Sequence, residues 1–512
     1  MALTMRALQP QSANSSNNSP METRVISIDQ STQSTKGFVF DEKGTILSRA
    51  SLAHKQIYPR SGFVEHDPEE IYRNTVNVIR ELTGKCPDEN VNWSIAITNQ
   101  RETVVVWNKI TGKPVCNAVV WQCTRGEEIC NRLKEEGYSD TFKQKSGLLI
   151  DPYFSASGVK WVLDNVEGVR QAAEKGEILM GTIETWLIWK LTEGRSHVTD
   201  YTNASRTLLF NIHTMDWDRE LLDIMTIPAS MLAKPLPSDA VFGETTVEGL
   251  FSKSIPIAGA IGDSHGALVG QMCFTEGLGK ATYGTGSSVM VNIGEKYSNA
   301  PEGLVTSVGF AALGKVFYGF EGNIHCTGMT VSWLVNELKL ISDASQIEAI
   351  ATSVENNAGV YFVPAFAGLG APWWRPKAKA VISGLSLGTG LPHVCRAALE
   401  SIGFQVTDLI KAMTETAGIQ LRELRVDGGP TKNNFLMQFQ SDLLGVPVVR
   451  SEIEDASAFG AFIMNGFARG TWSSFDQPAS LANFNQAIVP HTNENTLSAY
   501  KGWREAVEQL MK

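Results

Sequence analysis

Near the middle of the chain, the run IPIAGAIGDSHGALVGQ (residues 255–271) sets Asp263, Ser264 and His265 between glycines, where an apolar strand-like stretch gives way to a helical one. Its centre, Gly262 to Gly266, fits the G-x-S-x-G pattern of a serine nucleophile on a sharp strand-to-helix turn. Two chemistries compete for it. In one, Ser264 attacks an acyl group, with His325, His393 or His491 as the base further along the chain. In the other, the carboxylate of Asp263 accepts the proton of a substrate hydroxyl, and the serine match is a coincidence of small residues. Against the first, no glycine run of the HGGG type precedes Ser264, and His265 is too near in sequence to face it as a base.

Three further stretches suit phosphate. SIDQSTQSTK (residues 27–36) offers turn amides, the hydroxyls of Ser31 and Thr32, the amide of Gln33 and the cation Lys36, while Asp29 could hold magnesium through water. TYGTGSS (residues 282–288) leaves backbone amides bare around Thr285. VDGGPTKNN (residues 426–434) places Gly428 and Gly429 at a strand end before a helix N-terminus, where anions dock. One such turn reads equally as a solvated hairpin; three of them point to a nucleotide. In TNQRETVVVW, Arg101 and Glu102 are adjacent, a surface ion pair or, at a strand end, two ligand-fixing groups. Trp121 and Tyr153 read as core aromatics or as the walls of a pocket.

These residues need elements to hold them. At 512 residues the chain is long enough for two domains and a cleft between them. RVISID, GFVFD and TILSRA form a hairpin meander, followed by a helix that Asp67 caps and Pro68 begins, ended by Gly84. The second half starts likewise, with a hairpin over GKATYGTGSSVMVNIG, then long helices over 393–416 and 433–444 with the strand LRELRVD between them. Two halves that each begin with a hairpin bearing a Gly/Ser/Thr turn indicate an internal duplication, with the turns facing each other across the cleft.

The 44 basic and 54 acidic residues are dispersed, giving a net charge of −10 without a basic block, so neither nucleic acid nor an anionic membrane surface is an expected partner. No apolar run reaches the roughly 20 residues of a membrane span, so no membrane insertion is expected. Seven cysteines, odd in number and without a C-x-x-C pair, suit a reducing compartment, and a cytoplasmic location is expected. The Ser/Asn-rich residues 1–22 read as a disordered tail.

Taken together, TNQRETVVVWNKITGKP, LIDPYFSAS, GTIETWLIWKLTEG, VTDYTNASRTLLFNIHTMDWD, ATYGTG, VPAFAGLGAPWW and RVDGGPTKNNFLMQFQSDLLG resemble the FGGY carbohydrate kinase family over about residues 25–472. The resemblance implies an α/β fold of two actin-like, ribonuclease-H-like domains, over 23–271 and 272–512, hinged around an active-site cleft. It implies a homo-oligomeric enzyme that uses ATP and Mg2+ to phosphorylate a small polyol: glycerol, giving glycerol 3-phosphate, or as alternative a longer polyol or ketose. Carried onto this sequence, Asp263 becomes the general base, and Arg101, Glu102, Trp121, Tyr153 and Ser264 join it in the polyol pocket. Ser31, Thr32, Gln33, Lys36 and Thr285 fall to the phosphates, and Gly328, Ser332, Gly429 and Asn433 to the adenosine. Asp29 and Asp263 would face the metal. Some positions depart from the pattern. Ser264 stands where glutamine is usual and Ser288 where phenylalanine is, which predicts a roomier, more polar pocket. Cys123, Gly158 and Ser332 replace aspartate, lysine and glutamine. An inactive binding protein on the same fold is the third reading, opposed by intact Asp29, Asp263, Arg101 and Glu102.

Overall fold

The first strand is apolar on both faces because it is central. Val25, Ile26 and Ile28 are all buried in β1 (Glu22–Gln30), which pairs antiparallel with β2 (Ser34–Phe40), itself antiparallel to β3 (Ile46–Ala53). On its other side β1 lies parallel to β4 (Val91–Asn99). β5 (Val241–Thr245) and β6 (Ile255–Gly262) complete a six-stranded sheet in the order β5-β6-β4-β1-β2-β3. Helix α1 (Pro68–Lys85) covers it with Ile71, Val78, Ile79 and Leu82. Asp67 accepts the Glu69 amide at 2.9 Å as its N-cap, and the helix continues one residue past Gly84, closing at Cys86. The computed structural model describes residues 22–86, 91–375, 377–482, 484–491 and 494–510. The tail expected over 1–22 lies outside them except for Glu22, which already belongs to β1.

The second half repeats the frame. β7 (Leu278–Tyr283) and β8 (Ser287–Gly294) form the expected hairpin, β9 (Val305–Ala312) and β10 (Lys315–Ile324) follow, and β11 (Glu423–Asp427) and β12 (Val448–Arg450) lie parallel on the far side of β7. The order is β9-β10-β8-β7-β11-β12. Counted outward from β1 and from β7, both sheets run two antiparallel pairings one way and two parallel pairings the other; β5 and β9 are additions at opposite edges. That shared order is the structural form of the duplication read from the two hairpins.

Two helices lie between the sheets. α2 (Asp263–Gly270) follows β6 directly, and α3 (Ala456–Ala468) comes from the far end of the chain. They cross backbone against backbone: a Cβ on Gly460 would stand 1.9 Å from the Gly266 carbonyl oxygen. α3 docks on the first sheet through Ser27 Oγ to the Ala458 carbonyl (2.7 Å) and Asn465 Nδ2 to that of Ala258 (2.8 Å). Leu268, Phe459 and Ile463 join Phe40, Met290 and Phe310 in one apolar cluster that spans both sheets. A smaller four-stranded sheet, with helices over Glu127–Glu135 and Ser155–Asn165, makes a lobe on the first half. Among the described residues no helix is long and apolar enough to cross a membrane.

Candidate active site

Asp263 is the first residue of α2, set at the cleft by the end of a buried strand. The Gly262 amide donates to Thr202 Oγ1 (2.9 Å), and a Cβ there would meet the Arg101 side chain at 2.6 Å, so the glycine allows close approach. On the other side the Asp263 carbonyl accepts Ser457 Oγ of α3 (2.9 Å). The carboxylate is partly exposed; its Oδ1 accepts the Ser264 amide (2.6 Å) and lies 3.1 Å from Arg101 Nε.

Beside it is a buried ionic cluster. Arg101 grips Glu321 with both terminal nitrogens (2.8 and 2.7 Å), and Arg206 donates from Nε to Glu102 Oε1 (2.6 Å) while its Nη1 pairs with Glu321 Oε2 at 2.8 Å. All four side chains are at most 5% exposed, so the surface-pair reading of Arg101 and Glu102 does not hold. Burial raises the Glu102 carboxyl above its ordinary range. Burial works the same way on Glu321, but the guanidinium groups of Arg101 and Arg206 outweigh it and hold that carboxyl well below.

The cluster opens into a cavity of about 740 Å³ lined by Thr32, Arg101, Glu102, Trp121, Tyr153, Asp263, Ser264 and Ser288, with Arg206, Glu321, Asn323 and His325. Trp121 and Tyr153 meet edge to face at 5.6 Å, and Trp121 Nε1 donates to Thr32 Oγ1 (3.0 Å), which ties this aromatic wall to the first hairpin turn. His265, next to Ser264, is buried, directs Nε2 to Ser307 Oγ at 3.2 Å and is kept neutral by burial and then by Arg101, while His325 lines the cavity together with Ser264.

The glycine turns converge on the opposite wall. The Gly328 amide donates to the Gly284 carbonyl (2.9 Å), and the amides of Thr327 and Met329 donate to that of Thr285, so the helix Gly328–Asn336 begins on the turn of the second hairpin. Gly428 has φ +97° and passes so near Tyr283 that a Cβ would stand 1.9 Å from its carbonyl oxygen. Gly428, Gly429 and Asp455 line a second cavity of about 610 Å³, which shares Thr282 with the first.

Other predicted residues lie at the margins. Gln33 and Thr285 are exposed at their hairpin tips, and Ser31 Oγ closes its own turn on the Ser34 carbonyl (2.9 Å). Asn433 spends its Oδ1 capping the helix Asn434–Leu444 through the Leu436 amide, and Ser332 is exposed one turn beyond Gly328. Asp29 lies beneath the first hairpin, its carboxyl pushed up to about 8 by burial and by Asp455, with Lys36 3.5 Å away and itself 3.1 Å from Asp455. Of the departures, Cys123 Sγ accepts Arg125 Nε at 3.0 Å, and Gly158 lets its helix pack on Val119.

Sequence models of the N-terminal and C-terminal domains of the FGGY family of carbohydrate kinases match residues 24–270 and 279–488. The chain belongs to this family. The FGGY assignment gives the two sheets the family's two-domain architecture. Glycerol kinase 2 of Thermotoga maritima is 49% identical over 491 residues, 95% of this chain and 98% of that one. A Plasmodium falciparum glycerol kinase solved with ADP superposes with a TM-score of 0.92 at 38% identity, covering 96% of this chain and 99% of its own. A xylulose kinase from Lactobacillus acidophilus reaches 0.86 at 20% identity over 95% and 97% of the two chains, a likeness of fold alone.

Sequence reasoning missed Arg206 and Glu321. Each is a lone charge in an apolar or small-residue run, NASRTLLF and VFYGFEGNI, and that isolation was the available signal.

Proposed function

We propose that this FGGY kinase transfers the γ-phosphoryl group of ATP to a terminal hydroxyl of glycerol, giving ADP and glycerol 3-phosphate, with Asp263 as general base. One observation carries the reading: the Asp263 carboxylate faces the same cavity as Arg101, Glu102 and the 284–286 turn, so a hydroxyl and a phosphate can meet over it. The high identity to curated glycerol kinases selects the alcohol.

Two of the five Arg101 N–H groups go to Glu321, and Glu102 keeps Oε2 free of the Arg206 bond, so both have capacity left for polyol hydroxyls. Trp121 and Tyr153 cover the carbon chain. The oxygen–phosphorus bond forms as the bridging bond to the β-phosphate breaks, and the hydroxyl proton passes to Asp263. Thr32, Lys36 and the exposed turn around Thr285 receive the phosphates, with Gly328, Gly429 and Asn433 on the adenosine side.

Magnesium fits the first hairpin, because Asp29 Oδ1 is a buried carboxylate oxygen without a hydrogen-bond partner and Asp455 and Asp263 raise the local negative charge. Asp29 and Asp263 would hold the ion, which when bound neutralises phosphate charge. A cytoplasmic homo-oligomer is part of the same reading.

The alternative, a longer polyol or ketose, rests on Ser264 and Ser288 as small polar walls of the cavity. The 740 Å³ also has to accommodate the phosphate end of ATP, and the ketose-kinase likeness extends only to fold. The test is ATP consumption with glycerol, dihydroxyacetone, erythritol and pentitols at equal concentration. Glycerol should be preferred at least about tenfold in kcat/KM; a pentitol or erythritol ahead of it would overturn the choice of substrate.

A further inference from the structure

Glu321 belongs to β10, a strand of the second sheet, yet its side chain is bonded to residues of the first half. Alternation explains the direction. Phe320 packs into the core behind the second sheet, whereas Phe317, two pleats away on the same face as Glu321, joins the cluster between the sheets. Glu321 therefore projects across the cleft, and its two oxygens meet the terminal nitrogens of Arg101 and Nη1 of Arg206. Arg101 and Glu102 are the charged groups assigned to the polyol, and neither is fixed by its own half alone. Arg101 has Glu321 on its terminal nitrogens and Asp263 at Nε, and Glu102 is held by Arg206, which in turn leans on Glu321.

We propose that Glu321 is a positioning residue that assembles the polyol grip across the cleft, setting Arg101 directly and Glu102 through Arg206. The inference rests on the polyol-kinase reading. Its charge arithmetic is closed: two guanidinium groups are balanced by Glu102 and Glu321, with Asp263 left over to work on the substrate. Separation of the two sheets would carry Glu321 off both arginines, so a complete grip exists only while the second sheet is docked. Glycerol would then bind weakly to an opened molecule and favour the closed one, by the reciprocity of linked equilibria.

The test compares E321Q and E321D with the natural protein by steady-state kinetics in glycerol and in ATP, alongside ATP hydrolysis without polyol, where water needs no grip. E321Q keeps the shape and loses the charge. Its KM for glycerol should rise at least about tenfold, with KM for ATP and polyol-independent hydrolysis within about twofold. E321D keeps the charge but is one methylene too short to span both arginines, so it should fold and show an intermediate rise of about threefold to fivefold. Because it preserves the charge balance, it decides the question if E321Q does not fold. An unchanged glycerol KM in E321D and in any folded E321Q would overturn the proposal. So would losses spread evenly over glycerol, ATP and hydrolysis, which is the signature of a merely structural residue. The reading beneath it is checked separately by the natural protein: if that protein prefers another polyol, the same split is expected on that polyol.

Discussion

At the cleft end of the first sheet, Asp29 on β1 lies beside Thr98 on the parallel strand β4, while at the matching end of the second, Thr282 on β7 lies beside Asp427 on β11. The carboxylate and the hydroxyl have changed strands within one duplicated frame. The lysines differ too. Lys36 stands opposite Asp29 at the cleft and reaches Asp455, whereas Lys280 is buried within β7, where desolvation lowers its pKa, and its Nζ lies 3.4 Å from Thr282 Oγ1 and from Ser288 Oγ. The tips follow suit: hydroxyls and a cation over residues 31–36, and over 284–286 an exposed glycine turn in which the Gly284 amide donates to the Gly286 carbonyl (2.8 Å). A repeated frame supplies two facing strand ends, and their side chains give one charge and hydroxyls and the other an exposed glycine turn.

That contrast is most sharply broken at Asp263. D263N should lower kcat about 10³-fold or more in a coupled ATP-consumption assay, with S264A within about fivefold of the natural protein. The reverse order would return the site to Ser264. Next comes the carboxylate exchange. D29N should cost about 10²-fold in kcat and raise the Mg2+ concentration needed for half-maximal rate, while D427N stays within about tenfold. Equal losses in titrations of Mg2+ and ATP would mean that the two strand ends do the same work.

A smaller effect is expected at Gly428, which follows Asp427 where Asn99 follows Thr98. G428A forces a Cβ to 1.9 Å from the Tyr283 carbonyl oxygen, so its Tm in a thermal melt should fall by at least about 4 °C. N99A, which loses bonds to Glu184 and Asn203 without a backbone clash, should instead be destabilised without a raised KM for ATP.

The smallest effect belongs to the buried acid pair of the first half. Glu184 is pushed up to about 7 by burial and by Asp200. Its folded pKa lies above the ordinary 4.5, so the native state holds the proton longer than the unfolded chain, and stability falls as pH rises through that window. E184Q has no proton to lose. Its Tm relative to the natural protein should therefore climb by a few degrees between about pH 4.5 and 7, and a constant difference would show that Glu184 titrates normally.

Much of the frame was legible beforehand. The hairpins, α1 and the helices around 393–416 and 433–444 follow from local signals: β-branched runs, the Asp67 cap and Pro68. The residues expected to hold a polyol, Arg101, Glu102, Trp121, Tyr153, Asp263 and Ser264, came from adjacency and resemblance, and all six line one cavity. The residues expected at the phosphates and adenosine are more scattered. Asn433 has its side chain engaged as a cap, and Ser31 closes its own turn, because polar residues at turns satisfy local backbone before they face a ligand. Sequence order cannot tell these uses apart.

The chain by itself determined the two repeated halves, their glycine turns and the presence of a carboxylate where a strand opens into a helix, since periodicity, capping and turn chemistry act over a few residues. Tertiary structure decided which charges meet. Arg101 and Glu321 are 220 positions apart and Arg206 and Glu102 are 104 apart, so nothing local marks them as partners. Only when the second sheet brings a lone glutamate across the cleft do two buried arginines find their counter-charges, because a charge removed from water is tolerated only where the fold supplies its opposite.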